Sequence, residues 1–253
     1  MPRTAADAPR TTPGPLNGQL HALDLDRAAA PLRAILDDLS SRLIADVEML
    51  LTRTAGLAPD ELVSLLADAL PTMADPVAGA ATDFTLSWYE NLAPNQRYQP
   101  EPPAGHGMPD PAQLAATAGW AVRSPSIGAT PTERLTGAAT RWVHDAARET
   151  VSHNASREGV RYMRHAAAGA CAFCRLGATR GAIFKSAAAA IKGHDNCHCV
   201  AIPQRPGTRL VLPERYDAWE RQYEDATVSL REQGRPVDLR NVLSAMRASE
   251  GVG

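Results

Sequence analysis

Cys171-Ala172-Phe173-Cys174 is a C-x-x-C pair, and His194-Asp195-Asn196-Cys197-His198-Cys199 follows it as H-x-x-C-x-C. Every cysteine of the chain lies between 171 and 199, together with two of its seven histidines. Thiolates and imidazoles are the ligands of tetrahedral Zn²⁺, and ligands two residues apart on a tight turn can reach one ion. The spacing reads as a zinc knuckle, with one pair of ligands from each of two turns and the chain between them looped out. Cys171, Cys174, His194 and Cys199 form the favoured set, with Cys197 able to replace either of the last two. A full complement of N and S ligands leaves no position for a reacting water, so the zinc reads as structural.

Three other chemistries compete for these residues. Two disulfides need an oxidising compartment, but no signal peptide opens the chain, and a Cys197–Cys199 bridge would be strained. A catalytic cysteine needs a partnered base, and nothing in the pattern singles out one thiol. The zinc deaminases place H-x-E ahead of P-C-x-x-C. Here C-x-x-C comes first, Ala170 precedes Cys171, and neither His153-Asn154-Ala155 nor His165-Ala166-Ala167 supplies the glutamate.

The elements that must position this cluster are mostly helical. Hydrophobic residues make up 44% of the 253, but aromatics only 5%, so alanine carries much of the apolar content and favours helices. A long helix is expected from about Asp26, with Leu32, Leu36, Leu39, Leu43, Val47 and Leu50 recurring at steps of three and four, ending at Gly56. Its stripe suits the core of a bundle or a partner helix in a homo-oligomer. A second helix is expected from Pro59 to Leu70. A third covers Asp75 to Leu92, with Val77, Ala81, Phe84, Trp88 and Leu92 on one face. Residues 94–111 hold Pro94, Pro100, Pro102, Pro103, Pro109 and Pro111, an extended linker. A short helix follows from Pro111 to Val122. Thr130-Pro131-Thr132-Glu133 is a complete helix start, and its helix carries Leu135, Ala139, Trp142 and Ala146 to about Ser156. His144 and His153 lie on that helix and receive no role.

Short strands are expected at 160–164, 181–184 and 200–202, the last stopped by Pro203, so the zinc would hold together an antiparallel sheet too short to stand alone. Helices opened by Pro213 and capped by Asp238 close the chain. The fold class is mainly α: long N-terminal helices, a small zinc-pinned antiparallel β unit (α+β) and C-terminal helices. The divisions are 1–25 flexible arm, 26–93 helical region, 94–111 linker, 112–158 helical region, 159–207 zinc-knuckle β unit and 208–253 C-terminal helices.

Net charge is −2, which gives no global attraction to nucleic acid. Locally, Arg157, Arg161, Arg164, Arg175, Arg180, Lys185 and Lys192 stand against one acidic residue, Glu158. Arg161, Arg164, Arg175, Arg180 and Lys185 are the candidate phosphate contacts. The simpler reading is a solvated face, or pairing with the acidic helix of Glu214, Asp217, Glu220, Glu224 and Asp225. No run of about 20 apolar residues could cross a membrane.

The runs Gly159-Val160-Arg161-Tyr162, Cys171-Ala172-Phe173-Cys174-Arg175-Leu176, Arg180-Gly181-Ala182-Ile183-Phe184 and His194 to Pro203 resemble the C-terminal domain of MuF-type phage head morphogenesis proteins. They are most similar to the minor capsid proteins of phages infecting actinobacteria. The likeness is specific over about 159–203 and looser over 26–158. It implies a structural protein of the virion, made in the host cytoplasm and held near the portal or inside the capsid. Its implied partners are the portal, the major capsid protein, and packaged DNA as a further candidate. Relatives of this kind are often labelled capsid maturation proteases, the alternative function; a DNA-binding packaged head protein is the second alternative. No G-x-S-x-G or H-E-x-x-H is present to support a protease from motif.

Overall fold

The structure is a computed structural model that describes residues 21–93, 98–124, 128–180 and 193–249. Among the described residues are seven α-helices and four short strands. In chain order these are β1 (His21–Asp24), α1 (Leu25–Arg53), α2 (Pro59–Asn91), α3 (Pro111–Arg123), α4 (Pro131–Glu158), β2 (Arg161–His165), α5 (Ala172–Thr179), β3 (Val200–Gln204), β4 (Thr208–Val211), α6 (Arg215–Glu232) and α7 (Leu239–Ala248). The mainly α reading with a small antiparallel β element is what the chain adopts. The expected arm up to residue 20, the strand at 181–184, and Lys185 and Lys192 lie outside the described residues.

Helix α4 is the axis of the molecule. The Thr130 hydroxyl accepts from the Glu133 N–H at 3.2 Å, and the Glu133 carboxylate accepts from the Thr130 N–H at 2.6 Å. This reciprocal cap is the one the motif announces. Leu135, Ala139, Trp142, Val143, Ala146 and Val151 are buried, and their small or flat side chains let α1, α2 and α3 approach closely. The helix ends at Gly159 in the left-handed conformation, φ 74. An L side chain there costs about 1–2 kcal/mol. Gly159→Ala is therefore expected to lower the unfolding free energy by that amount, seen as a lower urea midpoint at unchanged slope, and an unmoved midpoint contradicts it.

Two expectations are corrected by α2. The chain does not break between Leu70 and Asp75: one helix runs through Pro71 and Pro76. An interior proline is locally unfavourable by about 3 kcal/mol. Tertiary packing overrides it, because Leu66, Leu70, Ala74, Ala78 and Ala81 all face the core. The continuous helix also fixes the phase, so Tyr89 is fully buried while Phe84 is 47% exposed rather than on the inner face. Trp88 is half buried and donates its Nε1–H to the Ala28 carbonyl at 2.8 Å.

Strand β2 pairs antiparallel with β3, with Met163 opposite Ile202 and Tyr162 opposite Pro203. Pro203 thus does not stop the strand. In a two-stranded ribbon every second N–H points away from the partner, and a proline is tolerated there. The last residues of the expected arm form β1, which pairs parallel with β4, so the stretch after residue 207 begins with a strand rather than a helix.

One hydrophobic cluster runs from Leu25 to Trp219 and contains Cys174, Cys197 and Cys199 alongside Leu36 and Trp142. It crosses the proline-rich segment without interruption. At one edge Arg205, 5% exposed, pairs with Glu158 at 2.7 Å. The Tyr89 hydroxyl donates to the same carboxylate at 2.6 Å. These contacts tie the end of β3 to α2 and α4. A second cluster of Ala172, Leu230, Leu243 and Met246 packs α5 on α6 and α7.

Candidate metal centre

Helix α5 begins inside the C-x-x-C motif. Cys171 is its N-cap, and its sulfur accepts from the Cys174 N–H at 3.5 Å. This half-turn brings the two thiols to one side. The opposite half of the cluster sits on a turn with Asn196 at φ 60, and the Asn196 N–H donates to the Gly137 carbonyl of α4 at 3.0 Å. A Cβ at Gly137 would stand 3.1 Å from both Asp195 and Asn196, so the missing side chain lets the turn seat on the helix. Arg141 reinforces that seat by pairing with Asp195 at 3.0 Å.

The five expected ligands converge. His194 Nε2 lies 2.8 Å from Cys171 Sγ and 3.7 Å from Cys174 Sγ. Cys174 Sγ lies 3.4 Å from Cys197 Sγ, which lies 3.3 Å from Cys199 Sγ. The donor atoms form two overlapping triads, Cys171–Cys174–His194 and Cys174–Cys197–Cys199. Cys174, Cys197 and Cys199 are buried, and Cys171 is exposed at the rim. Cys174 belongs to both triads, so Cys197 and Cys199 both stand beside it as candidates for the fourth position. The expectation favoured Cys199 with Cys197 as its substitute, and both sulfurs lie in one triad with Cys174.

Two buried arginines face Cys197 and Cys199. Arg164 of β2 donates its Nε–H to Cys199 Sγ at 3.2 Å and an Nη2–H to Cys197 Sγ at 3.4 Å. Arg148 of α4 donates its Nη1–H to the Cys199 carbonyl at 2.6 Å and to the Cys199 and Cys197 sulfurs at 3.4 and 3.6 Å. Arg148 also pairs with Asp145. A side chain at Gly193 would collide with the Arg148 guanidinium.

The protons on the sulfurs show what this arrangement needs. Hydrogen bonding with Cys174 pulls the Cys171 thiol down to about 4 against its burial, with His194 acting in the same direction. Hydrogen bonds from Cys174 and Cys197, then the charges of Arg148 and Arg164, hold Cys199 well below the ordinary thiol range. Hydrogen bonding to Cys171, Cys197 and Cys199 drives Cys174 up. Four sulfurs in this space cannot all ionise without a positive charge beside them. A divalent cation would supply that charge, and the donor set of thiolates and imidazole suits zinc. The arginines would neutralise the remaining negative charge, as outer-shell groups do around metal ligands.

The candidate phosphate contacts are placed unequally. Arg164 is 3% exposed and turned onto the sulfurs, which corrects its reading as a surface contact. Arg175 donates to the Ala170 carbonyl at 2.6 Å and lies over the Trp219 ring. Arg180 stacks 4.0 Å over Tyr223 and lies 4.0 Å from Glu220, the pairing with the acidic helix that the simpler reading expects. Arg161 is exposed. Arg148 and His144 went unread in the sequence, because a polar residue on a helix carries no local mark of the buried partner it will meet.

A family model described as VG15 protein matches residues 25–226, so the chain belongs to that family. Membership points to a phage-encoded protein. No curated protein and no solved structure matches the chain. No helix among the described residues is long and apolar enough to cross a membrane.

Proposed function

We propose that this member of the VG15 protein family is a structural minor capsid protein of the MuF-like kind, acting in head morphogenesis at the portal or on the capsid interior. The observation that carries the reading is the family match across the helices and the cysteine cluster together. It covers the segment whose motifs resemble the phage head morphogenesis proteins. The proposed partners are the portal and the major capsid protein. Zinc serves as a clasp: Cys171 and Cys174 bring α5, while His194 with Cys197 or Cys199 brings the turn seated on α4, so one ion would join the two segments. Arg161 remains open for packaged DNA.

The rival reading, a capsid maturation protease, has one geometric point in its favour. Cys171 is exposed, caps a helix and lies 2.8 Å from His194 Nε2, which is the arrangement of an activated thiol. The metal reading explains more, because Cys174 Sγ faces the same nitrogen at 3.7 Å.

Purified particles separate the two. The structural reading expects a few copies of this chain per particle, with density at the portal or inner shell, and the same major capsid protein length in wild type and Cys171→Ser. Absence from the particle overturns it. Cleavage of the capsid protein at a fixed site, abolished by Cys171→Ser in folded protein, establishes the protease instead.

A further inference from the structure

A second cluster of metal-binding side chains lies beside the cysteines and uses none of them. Asp37 comes from the middle of α1, His144 from α4, and His198 from the turn between Cys197 and Cys199. One carboxylate oxygen and one nitrogen from each ring lie within 4.8 Å of one another. His198 Nδ1 is 2.8 Å from Asp37 Oδ1, and His144 Nε2 is 3.4 Å from the same oxygen. The two rings meet edge to face with centroids 5.0 Å apart.

His144 is the telling member. It is fully buried; its Nε2 meets Asp37, and its Nδ1 has no hydrogen-bond partner. A buried ring nitrogen without a partner is costly, and such groups in folded proteins call for an explanation. The other two ligands are half exposed, Asp37 at 45% and His198 at 51% of their side chains. Both line a groove of about 340 Å³ whose walls include Cys171, Cys174 and Asn196. Ligands about 2.0–2.1 Å from a tetrahedral ion stand roughly 3.3 Å apart, so the His144–Asp37 separation already suits a shared ion.

We infer that Asp37, His144 and His198 form a second metal site, for a divalent first-row transition ion. Two imidazoles and one carboxylate on one side of an ion are a donor set suited to Zn²⁺, Fe²⁺, Co²⁺ or Ni²⁺. The ion's remaining positions face the groove and solvent. Binding would tie α1, α4 and the cysteine turn together at one point. The inference does not depend on the function proposed above.

Metal binding by the full chain tests it, with Zn²⁺ alone and then Co²⁺ alone as the probe. Wild type is expected to hold two ions per chain. Asp37→Ala, at a half-exposed position that leaves the helices intact, should hold one. Its cobalt form should keep the sulfur-to-metal charge-transfer absorption of the cysteine site. Cys174→Ser should lose that absorption and keep the ion held by Asp37. The same number of ions in wild type and Asp37→Ala, whether one or two, overturns the second site. One ion in wild type that is lost in Asp37→Ala but retained in Cys174→Ser upholds it and removes the cysteine site instead.

Discussion

Cys174→Ser is expected to strip the cysteine-bound metal and lower the melting temperature of the whole chain. Cys174 is the residue common to both sulfur triads and stands in the continuous core with Leu36 and Trp142. Losing an ion that was present at 1,000 times its dissociation constant removes about 4 kcal/mol. In a chain of this size that corresponds to roughly 10 °C. Proteolysis should begin in residues 161–204, where β2 and β3 form only a two-stranded ribbon and such ribbons are marginal alone. A strict division at the proline-rich segment would confine the damage to the region after Gly159. The shared core predicts instead that α1 and α4 lose protection too. In an Asp37→Ala background, which lacks the second site, a chelator should bring the chain to the state of the Asp37→Ala, Cys174→Ser double variant and leave that double variant unchanged. Equal melting temperatures with and without chelator in wild type contradict the prediction.

Arg148→Ala is expected to cost about 3–5 kcal/mol, the penalty for removing one partner of a buried charged network. Arg148 is 1% exposed. Burial opposes its charge, but Cys199, Asp145 and Cys197 outweigh that and raise its pKa. Without it, the Asp145 carboxylate and the buried Cys199 sulfur lose a shared cationic partner. Arg148→Lys restores the charge but not the fork that reaches the Cys199 carbonyl, both sulfurs and Asp145 together, so it should recover only part of the loss. Chemical denaturation of the three proteins checks the order. Full stability in Arg148→Ala would mean that the sulfurs carry no charge needing compensation.

The parts of this structure that were readable in the sequence are those whose causes are local. Thr130, Pro131 and Glu133 announce the start of α4, and Gly159 its end, because a cap is decided within four residues. Cys171 and Cys174 announce a turn for the same reason. Leu32, Leu36, Leu43 and Val47 mark the inner face of α1 by their spacing. The parts that were not readable are decided by distant neighbours. Pro71 and Pro76 signal a break that packing against α4 overrides. Phe84 looks inward only if the helix restarts at Asp75. The pairing of β1 with β4 joins short strands from nearly opposite ends of the chain, and neither carries a mark of its partner. Arg148 and Arg164 look like surface charge until β2 and α4 bring them to the sulfurs. His144 looks like any helical histidine until Asp37 and His198 arrive beside it.

The central claim is that Cys171, Cys174, His194 and one of Cys197 and Cys199 hold a structural zinc that clasps α5 to the turn on α4. X-ray absorption at the zinc edge, on full-length chain purified without chelator, tests it most directly. The Asp37→Ala variant, with the second site removed, gives the cleanest signal. The account predicts one zinc per chain with a sulfur-dominated shell near 2.3 Å and one nitrogen near 2.0 Å. A chain that carries no zinc, with all four thiols freely titratable, contradicts it.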